Sequence, residues 1–240
     1  MRLDRFLSSH GFGSRKASKK VLKNNVVLIN GQLVKDYTMQ IKGSDVISFN
    51  GEIIPNNPYT TMILNKPTGY ICSMKDENYP SVMSLIPKEY QTRMRMVGRL
   101  DQDTTGLLIL TDNGKMNARL AHPKTKVEKT YFVTVNHILK PSLIESMNQP
   151  IDIGQGEITR PSKLEIIDEY HAYLTVSEGK YHEVKRIFGH FSYDVCQLKR
   201  VKFGPISLPD DLNEGEYRFI SNYEYEQLLE ITHLKKEEQL

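Results

Sequence analysis

The four residues Pro55-Asn56-Asn57-Pro58 divide the chain more sharply than any other stretch. Two prolines flanking two asparagines break both helical and strand periodicity, so the apolar patterns on either side have to be satisfied separately. Residues 1–58 are therefore expected to form a small domain, residues 59–232 a larger one, and 233–240 a frayed tail. A chain of 240 residues has room for two such unequal parts and for a substantial core.

In the smaller part, VVLINGQLV (Val26–Val34) sets Asn30-Gly31 between two short apolar runs, a strong hairpin signal, and DVISF supplies another strand. Ahead of them lies SRKASKKVLK, in which Ser14 is a good N-cap and Ala17, Val21 and Leu22 fall on one helical face. Arg15, Lys16, Lys19, Lys20 and Lys23 spread over the remaining face. Composition sharpens the point, because residues 1–59 hold nine Lys/Arg against four acids while the whole chain is only +3. A lone basic helix is usually an ordinary solvated face; packed on a small sheet it can also track phosphates.

Beyond the break the patterning is that of an α+β domain. Strands are expected at TMILN, GLLILT, KTYFVTV, SKLEII and AYLTVS, and helices near residues 113–121, 141–148, 182–191 and 222–231. The strands come in pairs rather than alternating with helices, which favours a mixed, largely antiparallel sheet over a doubly wound one. No window approaches 18 consecutive apolar residues, so no membrane span is expected. The first twenty residues are basic but lack a long apolar segment, and Cys72 and Cys196 show neither disulfide nor zinc spacing. A cytoplasmic protein is the default expectation.

The chemistry concentrates in VGRLDQDTTGLLILTDNG (Val97–Gly114), where Asp101 and Asp103 stand two residues apart. An EF-hand register fits Asp101, Asp103, Thr105, Gly106 and Asp112, but Asp112 stands where a bidentate glutamate belongs and LLILT has a strand's composition. Asp101-Gln102-Asp103-Thr104-Thr105 also matches the DxDxT signature of Mg²⁺-dependent phosphatases, although Gly98-Arg99 interrupts the apolar strand which that chemistry needs. The plain alternative is that both aspartates only initiate turns.

The surrounding residues choose among these. GRLDQDTTGLL resembles the G-R-L-D-x-x-[ST]-[ST]-G-L-L motif of pseudouridine synthases, with NKPTGYICS, EKTYFVTV and EGKYHEVKRIFGHFSYDVCQLKRVKFGPISL resembling the family's other blocks in the family's order. The first 58 residues resemble an S4-type RNA-binding domain, so the resemblance covers nearly the whole chain. Spacing, and a lysine at 185, look most like the RsuA branch, which modifies one uridine of small-subunit (16S) ribosomal RNA.

The resemblance implies an isomerase that breaks the base–sugar bond of a uridine, turns the uracil and rejoins it through carbon 5. That reaction transfers no group and changes no oxidation state, so neither a cofactor nor a metal is expected. It implies Asp101 as the catalytic carboxylate, Lys185 as its cationic partner, Tyr131 as the ring stacked on the target base, and Arg99 as a contact to RNA or a filler of the vacated space. Val184, Ile187 and Phe188 read as core, Asp103 and Asp112 as turn and cap residues, and His182 and Glu183 as groups that orient Lys185. Ribosomal RNA bound by a monomer is the expected partner. Rival readings are a large-subunit (23S) rRNA synthase of the same fold, the phosphatase, and a non-catalytic ribosome-assembly protein.

Overall fold

The structure is a computed structural model describing residues 2–10, 12–42, 45–54 and 59–234. The expected break at Pro55–Pro58 and all but the first two residues of the expected tail lie outside the described residues. The chain divides into two compact units, residues 1–61 with 220–240 and residues 62–219.

The first unit contains α1 (Leu3–Ser9), α2 (Ser18–Asn24) and a four-stranded sheet of β1 (Val27–Ile29), β2 (Gln32–Leu33), β3 (Ile47–Phe49) and β4 (Glu52–Ile54), in the order β2-β1-β3-β4. Asn30 and Gly31 both take positive φ, 51° and 79°, the pair that a two-residue hairpin with the strands' own twist demands. They lock Ile29 opposite Gln32. Leu3, Phe6, Leu7, Leu22, Val27, Ile29 and Ile47 are buried together as the unit's core. The helix expected over Ser14–Lys23 is split: a 3-10 turn, Arg15–Ala17, precedes α2, and the Ser14 hydroxyl accepts from the Ala17 amide at 3.3 Å. The short helix α1 carried no recognised sequence signal.

The second unit begins with β5 (Thr61–Lys66) and continues through α3 (Lys88–Gln91), β6 (Arg95–Val97), β7 (Thr105–Thr111), α4 (Gly114–Ala121), β8 (Lys129–Val135), α5 (Leu143–Met147), β9 (Lys163–Ile166), β10 (His171–Val176), α6 (Glu183–His190), β11 (Val195–Phe203), β12 (Ile206–Ser207) and β13 (Tyr217–Phe219). The sheet runs β13-β5-β7-β11-β8-β10-β9, with β12 against β11 and β6 against β7. It is mixed: β11 is parallel to β7 and antiparallel to β8. A further helix, α7 (Asn222–Ile231), groups with the first unit and opens on a capping box between Ser221 and Glu224.

Every expected strand and helix of the larger part is present within a few residues. In β8, Tyr131, Val133 and Val135 point into the core while Thr130, Phe132 and Thr134 do not, the period-2 pattern that made the strand readable. Val184, Ile187 and Phe188 bury one face of α6, as expected. The longest strand, β11, was not anticipated as one. Its inward positions are Leu198, Arg200 and Phe203, and a bulge between Arg200 and Lys202 shifts the phase, so the apolar alternation is broken by a buried arginine and an extra residue.

Candidate active site

β7 is buried on both faces, with Leu107, Leu108, Ile109 and Leu110 all fully buried, and so it stands in the middle of the sheet. The loop that feeds it, residues 98–104, carries Arg99, Asp101 and Asp103. Three groups cage that loop from beneath. The fully buried Lys66 ammonium donates to the carbonyls of Pro67 (3.1 Å), Gln102 (3.2 Å) and Thr104 (2.8 Å). The Gly69 amide donates to the Gln102 carbonyl at 3.0 Å, and the Leu100 amide reaches the Cys72 sulfur at 3.3 Å. Burial pushes the Lys66 ammonium below its ordinary pKa, and the charges of Cys72, Asp103 and Asp101 pull it back up.

Gly106 shows why the loop ends where it does. With φ +99° it lies in the left-handed half of the map, and a Cβ there would sit 2.3 Å from the Arg200 carbonyl oxygen and 2.8 Å from its nitrogen. Only glycine lets the parallel pair β7–β11 close, and that closure brings Arg200 beside the loop.

At the loop's tip the Asp101 carboxylate faces an imidazole and an ammonium, with Oδ1 3.6 Å from His182 Nε2 and Oδ2 3.8 Å from Lys185 Nζ. Lys185 is nearer to Asp103, at 2.7 Å from both carboxylate oxygens. Burial raises the Asp103 carboxyl, but the Lys185 hydrogen bonds and charge outweigh it and hold the group below the usual carboxylate range. Asp103 is thus the closer partner of the ammonium expected to serve Asp101, not a bare turn residue. Asp112 does not cap α4 either. Asn113 does, accepting from the Met116 amide at 3.0 Å, while Asp112 lies 3.5 Å from Arg93.

A cavity of about 640 Å³ opens beside Asp101, with Arg99, Tyr131, Lys180, His182 and Arg200 among its lining. That is the size of a small-molecule or single-nucleotide site. Tyr131 reaches it from β8; burial pushes its hydroxyl pKa up, and the adjacent Arg200 opposes the shift. Arg200 is itself buried, with Nε donating to the Leu107 carbonyl at 2.7 Å. Arg99 lines the same cavity and is exposed.

Two further groups stand at the site: Lys129, which the sequence reading gave no role, and Glu183, which it expected to orient Lys185. Lys129 donates to the carbonyls of Val127 (2.8 Å) and Glu178 (3.0 Å), and burial together with the Arg200 charge lowers it to about 8. Glu183, buried at the start of α6, is raised to about 7 by burial and by the charge of Glu178. It lines a small recess shared with Asp101 and Tyr131, and its charged neighbours are Glu178, Lys129 and Lys180 rather than Lys185. Of the pair expected to orient Lys185, His182 contacts Asp101 itself. Lys66 and Arg200 were equally invisible. Both stand inside blocks quoted for the resemblance but were given no role of their own, although a charged residue breaking an apolar pattern, as in TMILNK and QLKRVKF, was the available signal.

In the first unit all five cations of the basic segment are exposed. Arg15 is partly committed, its Nη2 lying 3.7 Å from the buried Asp4 carboxylate, which Arg2 also meets at 2.9 Å.

Comparison with known proteins bears on both units. The RNA pseudouridylate synthase family matches residues 60–190 and the S4 domain family matches residues 1–47. The chain is 39% identical over 233 residues to the ribosomal small subunit pseudouridine synthase A of Haemophilus influenzae, covering 95% of this chain and 100% of that one. To the protein of the same name from Escherichia coli K12 it is 32% identical over 226 residues, 93% of this chain and 98% of the other. A crystal structure of a pseudouridylate synthase shares its fold with a TM-score of 0.69 at 37% identity, over 95% of this chain and 99% of that one.

Proposed function

Since the chain belongs to the RNA pseudouridylate synthase family and carries an S4 domain, we propose that it converts one specific uridine of small-subunit (16S) ribosomal RNA to pseudouridine. The observation that carries the choice of RNA is the match, nearly end to end, to relatives named for the small ribosomal subunit. Neither the large-subunit reading nor the phosphatase nor the non-catalytic reading has comparable support.

In this proposal Asp101 supplies the reacting carboxylate. Its oxygens lie 3.8 Å from the Lys185 ammonium and 3.6 Å from the His182 imidazole, both beyond hydrogen-bonding distance, which leaves them available for attack. Tyr131 stacks on the extruded uracil, returning about 1–3 kcal/mol of the few kcal/mol that extrusion costs. Arg99, exposed at the same cavity, contacts the RNA or takes the place of the departed base. Residues 59–232 are the catalytic part and residues 1–58 the RNA-binding part, whose Arg15, Lys16, Lys19, Lys20 and Lys23 meet phosphates, in a cytoplasmic protein acting as a monomer. No cofactor or metal enters the scheme.

The direct test supplies the purified protein with small- and large-subunit RNA labelled with tritium at uridine carbon 5, since rejoining through that carbon releases the label. Release from the small-subunit RNA alone supports the reading. Release from the large-subunit RNA, or from neither as free RNA or within small subunits, overturns it.

A further inference from the structure

We infer that Tyr181 is a stacking platform for a nucleotide adjacent to the target uridine, so that the RNA is gripped by two aromatic faces at one site. This rests on the function proposed above and extends it from the reacting base to its neighbour.

Tyr181 is 70% exposed, yet it lines the same cavity as Asp101 and Tyr131. Its ring already lies flat on the His182 imidazole, with centroids 3.8 Å apart and planes 19° from parallel. The next residue's backbone fixes that pose. His182 sits at φ +49°, a left-handed conformation a non-glycine residue adopts only where its surroundings hold it.

Those surroundings are specific. Arg186 Nη1 donates to the Tyr181 carbonyl at 3.0 Å, while its Nε donates to the Ile153 carbonyl at 3.0 Å and its Nη2 to the Gly154 carbonyl at 2.9 Å. The same guanidinium is paired with Glu157. A wide-open aromatic ring is therefore mounted on a clamped backbone, and such a ring loses little conformational entropy when something stacks on it.

The reaction creates what the ring can cover. Extruding a uridine removes a stacking partner from each neighbouring base, and those faces are left open next to the cavity mouth. A tyrosine there accepts any base, because every base has a π-face, and Arg99 and Lys180 in the same lining supply positive charge for the phosphates between the two nucleotides. Specificity for the RNA then comes partly from where the neighbouring base can be placed.

The experiment uses the full chain with small ribosomal subunits and small-subunit RNA purified from cells lacking its gene, measuring both initial rates and RNA affinity. Tyr181→Ala should raise KM and weaken binding by roughly 5- to 150-fold. kcat should change little, since the stack is held in ground and transition states alike. Tyr181→Phe, which keeps the ring and loses only the hydroxyl, should stay within about twofold of the parent on both measures. An alanine variant with unchanged KM and affinity overturns the inference, and so does a phenylalanine variant as impaired as alanine. If the parent protein modifies neither substrate, the proposed function fails on its own account, and Tyr181 is then judged by the affinity arm alone.

Discussion

Asp101 and Asp103 share the Lys185 ammonium unequally, at 3.8 Å and 2.7 Å. The closer carboxylate is 60% exposed and the farther one 32%, so the tighter ion pair lies on the solvent side. A pair that exposed contributes about 0–1 kcal/mol, less than about tenfold in rate. Asp103→Asn should therefore keep turnover within about tenfold of the parent, whereas Asp101→Asn should abolish it while leaving the far-UV spectrum and RNA affinity nearly unchanged. Equal loss in both variants would point back to a paired-carboxylate metal site. Glu183 makes a separate prediction. Its folded-state pKa of about 7 lies above the ordinary 4.5, so the folded protein holds a proton that the unfolded chain releases, and this site's stability contribution falls as pH rises from 4.5 to 7. Glu183→Gln removes the cost of the buried charge. Its advantage over the parent in thermal unfolding should be absent near pH 4, grow through that window and level off above pH 7, at on the order of 3 kcal/mol. An advantage independent of pH would mean that the carboxyl is not desolvated as the structure places it.

The strands carry the loop that holds Asp101, and their junction leaves no slack. Gly106→Ala has to place a Cβ 2.3 Å from the Arg200 carbonyl while holding φ near +99°. The β7–β11 pairing should separate locally, lowering stability by at least about 2 kcal/mol and reducing turnover as Asp101 shifts, measured by denaturant unfolding and initial rates. A variant of parental stability would show that the two strands do not approach so closely. This junction also marks where the sequence stopped being readable. KTYFVTV announced β8 because its inward residues are all apolar or aromatic, and Asn30-Gly31 announced a hairpin because the turn itself dictates those residues. β11 hid because Arg200 occupies an inward position and a bulge follows it. Lys66 hid for a related reason. What satisfies its charge is a set of carbonyls, two of them more than thirty residues downstream, and no local pattern records such a partnership. The residues that the resemblance proposes for the chemistry, Asp101, Tyr131 and Arg99, line one cavity, but the division of Lys185 between two aspartates depends on distances that spacing does not encode.

Under the proposed function, the chain as a whole separates attraction from chemistry. Residues 1–59 hold nine of the basic residues against four acids, while the Asp101 cavity lies in the other unit. Each phosphate contact contributes about 0.7–0.9 to the slope of log affinity against log salt. Changing Lys16, Lys19 and Lys20 to alanine should flatten that slope by roughly two to three units if all three meet phosphates. Turnover at saturating RNA should survive, because contacts equal in ground and transition states appear in KM alone. An unchanged slope would make the segment a solvated face; lost saturating turnover with normal binding would give the small domain a share in placing the target. The central claim is that Asp101 converts one uridine of small-subunit ribosomal RNA, and pseudouridine mapping across total RNA tests it most directly. Cells lacking the gene, carrying it, or carrying its Asp101→Asn form are compared. The account predicts one small-subunit site that disappears with the gene, returns with the intact gene and fails to return with the asparagine form. No lost site, a lost site elsewhere, or full restoration by Asp101→Asn would contradict it.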